Sequence, residues 1–206
     1  MLFVVPSRSD DNNDAVLIAL AALAGAFLLW GRKKETDKPD TPGLMPRGLA
    51  NKNPLNIKVP QVRGQFTHFP WQGEIVPSLD YPFSQFETFS DGWRAAMKNM
   101  NAYRNMAVPL VTPAQIIQRW EGDSNITNWN YVDYVVDRAN KINPTYEYHH
   151  GKPLPSFTEL SYNDTLKIWW PIFLAMAEFE NGADQTQAIA GTYSAFRRAL
   201  TSIRNE

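Results

Sequence analysis

The run AVLIALAALAGAFLLW, Ala15 to Trp30, carries sixteen residues without one polar side chain, between acidic DDNND and basic GRKK. As an α-helix it would be about 24 Å long, a little short of the roughly 30 Å hydrocarbon layer of a bilayer. Trp30 at the interface, snorkelling by Arg32, Lys33 and Lys34, and local thinning close that gap. A buried soluble helix would need a domain around it, and the polar segment that follows supplies none. A cleaved secretory signal is the rival reading, but such a signal has its positive charges ahead of the apolar core, and here only Arg8 precedes it. The sequence therefore predicts an N-terminal tail over residues 1–14, one transmembrane helix over 15–31 and a flexible linker over 32–46. In that linker KKETDKPDTPGLMP has almost nothing to bury. The basic residues after the span place the C-terminal side in the cytoplasm as inserted.

What remains, residues 47–206, is the size of one domain. With a net charge of −1 and a pI near 6.3, no polyanion partner is expected, and nucleic acid is excluded on that ground. The absence of cysteine rules out thiolate chemistry. His68, His149 and His150 are too few and too scattered for a metal set, so neither metal nor cofactor is expected.

Within the domain, QFTHFPWQGEIVP and YPFSQFETF are short aromatic segments broken by Pro and Gly, which predicts strands or a hairpin between about Gln65 and Phe89. Helices are predicted afterwards. Ser90 or Asp91 caps one with Trp93, Ala96, Met97, Met100 and Tyr103 on one face. Thr112, Pro113 and Gln115 form a capping box with proline at the first helical position, ahead of Ile116, Ile117 and Trp120. A third helix follows Thr127, with Trp129, Val132 and Val136 in register. Ser161 to Asp164 starts a fourth, which Pro171 should kink or split, and Gly182 closes it as a left-handed cap. A last helix, QTQAIAGTYSAFRRALTSI, should pack Ile189, Tyr193, Phe196 and Leu200.

The fourth helix ends in AMAEFENG and poses a problem. A helix C-terminus is the negative end of the macrodipole, so Glu178 and Glu180 are disfavoured there unless solvated or put to use. Two positions apart, they point about 200° apart round the helix. Glu178 reads as a solvated residue or a salt-bridge partner. Glu180 has the setting of an acid: burial beside aromatic residues and a helix C-terminus both favour a carboxyl that keeps its proton, the pattern of the well-known lysozyme acid.

Several blocks together carry a resemblance. RGLANKNPLNI, Arg47 to Ile57, is similar to the R-G-x-x-N-x-N-P-x-N-I opening of a bacteriophage family of virion-associated or prophage proteins linked to peptidoglycan degradation. Trp71 and Gly73 match its W-x-G; Phe83, Phe86, Gly92, Arg94 and Ala95 its F-x-x-F and G-x-R-A. Ile116, Ile117, Arg119 and Trp120 match I-I-x-R-W, Asn125, Thr127 and Tyr131 match N-x-T-x-x-x-Y, and Glu180, Asn181 and Gly182 match the closing E-N-G. Leu55 stands where the family has glycine, and Lys52 breaks its asparagine triplet. The family in turn resembles lysozyme-like glycosidases and lytic transglycosylases, in circularly permuted order.

The resemblance implies a mainly α, lysozyme-like α+β domain with a small β-hairpin region. It implies Glu180 as the catalytic acid and Asn53, Asn56, Trp71, Gly73 and Tyr131 as substrate-binding residues, with peptidoglycan as substrate. Trp71 beside Gly73 favours a cleft role. Asn53 and Asn56 suit N-acetyl groups or Asx turns around Pro54 equally well. Arg47 and Arg94 are expected to pair with carboxylates inside the fold, and His149 and His150 to be exposed. A second carboxylate, if the chemistry uses one, has to come from Glu74, Glu87 or Asp91. Three functions stand open: a membrane-anchored virion protein that cuts glycan strands when the phage enters its host, a non-enzymatic virion membrane protein that keeps the glycan-binding shape, and a host-lysis factor. The lipid membrane, through residues 15–31, and capsid or other virion membrane proteins are the remaining expected partners.

Overall fold

The computed structural model describes residues 45–59, 61–62, 65–66, 71–122, 127–157, 159–188 and 192–206. The apolar run Ala15–Trp30, His68 and Asn125 lie outside them. Among the described residues no helix is long and apolar enough to cross a membrane.

Among the described residues the architecture is mainly helical with two small antiparallel ribbons. A single turn, α1 (Arg47–Ala50), leads to β1 (Gln61–Val62) paired with β2 (Gln65–Phe66), and then to β3 (Glu74–Ile75) paired with β4 (Gln85–Phe86). Among the described residues there follow α2 (Phe89–Arg104), α3 (Pro113–Glu121), α4 (Trp129–Ile142), α5 (Tyr162–Asn181), α6 (Ala183–Ala188) and α7 (Thr192–Arg204).

Local chemistry accounts for most boundaries. The capping box forms as expected: Thr112 accepts from the backbone of Gln115 and the Gln115 side chain answers, with Pro113 at the first position. Ser161 caps α5 through the Asp164 amide. Helix α2 instead starts a little earlier than predicted, because Thr88, in an extended conformation, accepts from the Asp91 amide.

Pro171 does not split α5, which runs unbroken from Tyr162 to Asn181. Proline has no N–H for the carbonyl of Lys167, four residues back. That oxygen is supplied instead by Asn143 Nδ2 at 2.8 Å and the Tyr148 hydroxyl at 3.3 Å, and Tyr148 also donates to the Ile168 carbonyl at 2.7 Å. Gly182 has a positive φ of 85°, but its ψ of 137° is extended, so it turns the chain without adopting the left-handed helical cap. The segment predicted as the last helix is helical over α6 and over α7, with residues 189–191 between them outside the described residues. Ile189 lies outside the described residues, and Tyr193 is exposed rather than packed in the core.

The core forms where α5 lies along α4 and α2 lies along α7. Trp93, fully buried, is its centre, with edge-on contacts to Trp170, Phe173 and Phe196 at centroid separations of 5.7–6.0 Å. Val132 and Val136 face inward as predicted, but Trp129, in the first turn of α4, is exposed.

Burial raises the phenol of Tyr148, and that of Tyr103 to about 12, above the ordinary 10. An unfolded tyrosine ionises from about pH 10 while these keep their protons, so the folded state binds more protons there and stability must fall as pH rises. The urea midpoint is expected to drop between pH 9 and pH 11. Tyr148→Phe should flatten that drop and cost about 1 kcal/mol at neutral pH for the lost donor.

Candidate functional site

The NPLNI loop and the C-terminus of α5 are built into each other. Asn53 is fully buried and its amide is spent on the backbone: Nδ2 donates to Ile57 O at 2.8 Å and Ser84 O at 2.9 Å, while Oδ1 accepts from Ile57 N at 2.8 Å. It holds the turn, with Pro54 and Leu55 at its crest. Leu55 is wholly buried, and its carbonyl accepts from Trp120 Nε1 at 3.2 Å, tying the loop to α3. From the other side Asn181 Nδ2 donates to Pro54 O at 2.7 Å, tying it to α5.

These ties fix Asn56, whose φ of 52° lies in the left-handed region that asparagine tolerates better than most residues. Its Nδ2 donates to Glu180 Oε2 at 3.2 Å. The Tyr131 hydroxyl, from α4, donates to Glu180 Oε1, also at 3.2 Å. Glu180, Asn56 and Tyr131 thus converge from three elements on a carboxyl that is only half-buried. Phe179 beside it is exposed, its ring stacked on Tyr131 with centroids 3.9 Å apart.

Glu178 is not solvated. Its side chain is 0% exposed and forms a two-pronged ion pair with Arg138 of α4, Nε to Oε2 at 2.6 Å and Nη2 to Oε1 at 2.9 Å. The Tyr134 hydroxyl donates to Glu178 Oε2 at 3.4 Å, its phenol pushed up first by burial and then by the Glu178 charge. The two glutamates, although about 200° apart on the helix, both reach α4. Arg138 neutralises Glu178, while Glu180 is the half-buried carboxyl that meets Asn56 and Tyr131.

Trp71 is half-buried against the core and its backbone N–H donates to Glu74 Oε2 at 3.1 Å. Gly73 has a φ of 70°, and a Cβ there would stand 2.4 Å from Asp91 Cγ, so it is glycine for two independent reasons. Arg47 pairs with Asp80 and Arg94 with Glu206, which lies at the surface. His149 and His150 are exposed, His150 3.0 Å from Asp133. Among the described residues no cluster of three or more His, Asp and Glu could hold a metal ion. An open groove beside Pro171, lined by Asn143, Lys167 and Trp170, sits two and a half turns back along α5 from Glu180.

Gly48 and Arg138 were not singled out as functional from sequence. A Cβ on Gly48 would lie 2.4 Å from Asn181 Oδ1 and 2.8 Å from Asn56 Oδ1. Gly48→Ala is therefore expected to push Asn56 away from Glu180 and cost about 1–3 kcal/mol, the range for overpacking a tight contact; a thermal melt with the crystal structure of the variant checks both. For Arg138 a signal existed: Tyr131, Tyr134 and Arg138 follow the i, i+3, i+7 spacing of one helix face.

No family model matches the chain. Over 93 residues it is 34% identical to Protein P5 of Pseudoalteromonas phage PM2. The chain is similar to a bacteriophage protein. The match covers 45% of this chain and 55% of the relative, so the chain spans little more than half the length of the protein it resembles.

Proposed function

We propose that this is a phage virion protein, held in a membrane by residues 15–31, whose domain over 47–206 is lysozyme-like and cuts the glycan strands of peptidoglycan when the phage enters its host. The observation that carries the reading is the Glu180 carboxyl. It stands at the end of a buried helix, steadied by Asn56 and Tyr131, half open to solvent and flanked by the exposed Phe179 ring.

In this reading Glu180 gives its proton to the glycosidic oxygen as the bond to the anomeric carbon breaks, and water, or the muramoyl 6-hydroxyl of the substrate, bonds to that carbon and gives up its own proton. The Tyr131 hydroxyl can turn to accept from a protonated carboxyl or donate to an ionised one, and the Asn56 amide fixes the carboxyl plane. Phe179 offers an apolar face to a sugar ring. Trp71 and Gly73 are assigned to the wall of the cleft. Asn53 acts one step back, by shaping the loop that carries Asn56.

Membrane topology suits the same reading. A domain on the cytoplasmic side of the host membrane during assembly would lie between an internal virion membrane and the capsid, beside capsid and other virion membrane proteins, where it spares the producing cell's wall and meets that of the next host.

A second reading is a non-enzymatic virion membrane protein that keeps the shape for glycan binding. In its favour, both Glu180 oxygens accept hydrogen bonds from the protein itself, as a purely structural carboxylate would. Incubation of the full chain, in mild detergent, with purified sacculi separates the two. Soluble fragments with new reducing or 1,6-anhydro ends support cleavage and tell hydrolysis from transglycosylation. Co-sedimentation with intact strands supports the second.

A further inference from the structure

The connection between β3 and β4 turns its apolar side chains outward. Ile75, Val76, Leu79 and Tyr81 are all exposed, Leu79 at 88%. Its polar groups, by contrast, are tied to one another and to the domain. Ser78 Oγ donates to Phe83 O, Leu79 N donates to Gln85 Oε1 at 2.9 Å, and Asp80, the one acid in the loop, accepts from Asn51 Nδ2 at 2.7 Å and lies 3.3 Å from Arg47 Nε. The result is a braced finger whose outward surface is mostly hydrocarbon and one phenol, with the part-exposed Asp80 carboxylate paired to Arg47. Loops normally expose polar groups, so an apolar cluster on a pinned loop marks a contact surface.

The chain path indicates what it contacts. Arg47, which braces the finger, stands two residues after Met45, itself exposed, where the described domain begins. The finger therefore lies beside the point where the linker joins the domain. Residues 31–44 span at most about 50 Å fully extended and about 20 Å as a relaxed coil. A bilayer holding residues 15–31 is thus within reach of this face of the domain. Two basic residues stand at the finger's root: the Arg47 guanidinium, which also pairs with Asp80, is 4.6 Å from the centre of the Phe83 ring and Lys58 Nζ is 5.6 Å from it. Apolar tips with a phenol and basic residues behind them are the composition of an interfacial membrane contact, with the cations at the level of lipid phosphates.

We infer that the finger over residues 75–81 inserts its apolar side chains into the surface of the membrane that anchors the chain, fixing the orientation of the domain on the bilayer. The inference rests on the reading of residues 15–31 as a membrane span. It adds a second attachment, which holds one face of the domain against the lipid.

The chain has no cysteine, so a single introduced thiol reports from one place. The full chain carrying Leu79→Cys, labelled with an environment-sensitive dye, is reconstituted into vesicles of zwitterionic and anionic phospholipid with and without doxyl-labelled lipid. Val108→Cys, exposed beyond the far end of α2, is the comparison site. Resistance of the chain to carbonate extraction reports the anchor independently. The expected result is an extracted-resistant chain with a blue-shifted emission at Leu79 quenched by doxyl lipid, and neither effect at Val108. Placing the dye at Tyr81→Cys and adding Leu79→Asp should reduce the quenching. An anchored chain whose Leu79 dye is no more quenched than the Val108 dye overturns the inference and leaves the span intact. A blue shift that persists in detergent and grows with protein concentration overturns it in favour of contact between two copies. A chain that carbonate removes overturns the span and the inference together.

Discussion

Arg138→Ala is expected to destabilise the folded domain by about 3–5 kcal/mol, the cost of stripping one partner from a buried ion pair. The asymmetry of the pair sets the direction of a second comparison. The Glu178 side chain is 0% exposed and cannot reach water, whereas Arg138 is 29% exposed and can. Removing the arginine strips a buried carboxylate of its counter-ion, with Tyr134 still in contact with it. Glu178→Gln leaves an amide that still bonds Tyr134 and a guanidinium free to hydrate. It should therefore cost clearly less. Acid should offset part of the Arg138→Ala loss, because a neutral carboxyl is buried at far smaller cost than a charged one. Urea denaturation followed by tryptophan fluorescence at pH 7 and pH 5 checks the order and the offset; equal costs for the two variants would show that the pair is hydrated rather than buried.

The helices that were legible from sequence are those whose ends are decided within four residues. Thr112, Pro113 and Gln115 carry their own start signal, and Ser161 with Asp164 does the same. Thr, Ser and Asp all cap well, so residue type alone does not separate Thr88 from the predicted Ser90 or Asp91; the extended backbone at Thr88 does. Pro171 does not split its helix because the carbonyl it orphans is supplied by Asn143 and Tyr148, more than twenty residues away along the chain from the proline, a fact no local window contains. Trp129 shares the spacing of Val132 and Val136 but lies in the first turn, at the rim of the packed face.

Within the site, Glu180 was legible through a local contradiction, an acid at the wrong end of an apolar helix. Asn56 and Tyr131 entered only through the motif resemblance, since nothing in the spacing from 56 to 180 predicts contact. The opposite fates of Asn53 and Asn56, three residues apart, come from the left-handed turn that sends one amide inward and the other to Glu180. Glu178 pairs with Arg138 only because α4 and α5 lie side by side.

The largest expected effect concerns Glu180. Glutamine in its place keeps the size of the side chain and an oxygen to accept from Tyr131, so the melting temperature should stay close to that of the wild type. An amide has no proton to give to the leaving oxygen, so the rate of glycan cleavage should fall at least about 100-fold, the lower end of what a positioned acid contributes. Tyr131→Phe and Asn56→Ala remove one contact each from the carboxyl and should lower the rate by less. Glu178→Gln, whose side chain serves the ion pair, should keep most activity at temperatures where it is folded. The most direct measurement is muropeptide release from purified sacculi, followed by liquid chromatography and mass spectrometry, for wild type, Glu180→Gln and Glu178→Gln side by side. Release by the wild type and Glu178→Gln but not by Glu180→Gln is the predicted result; release by Glu180→Gln at the wild-type rate, or by none of the three, would contradict it.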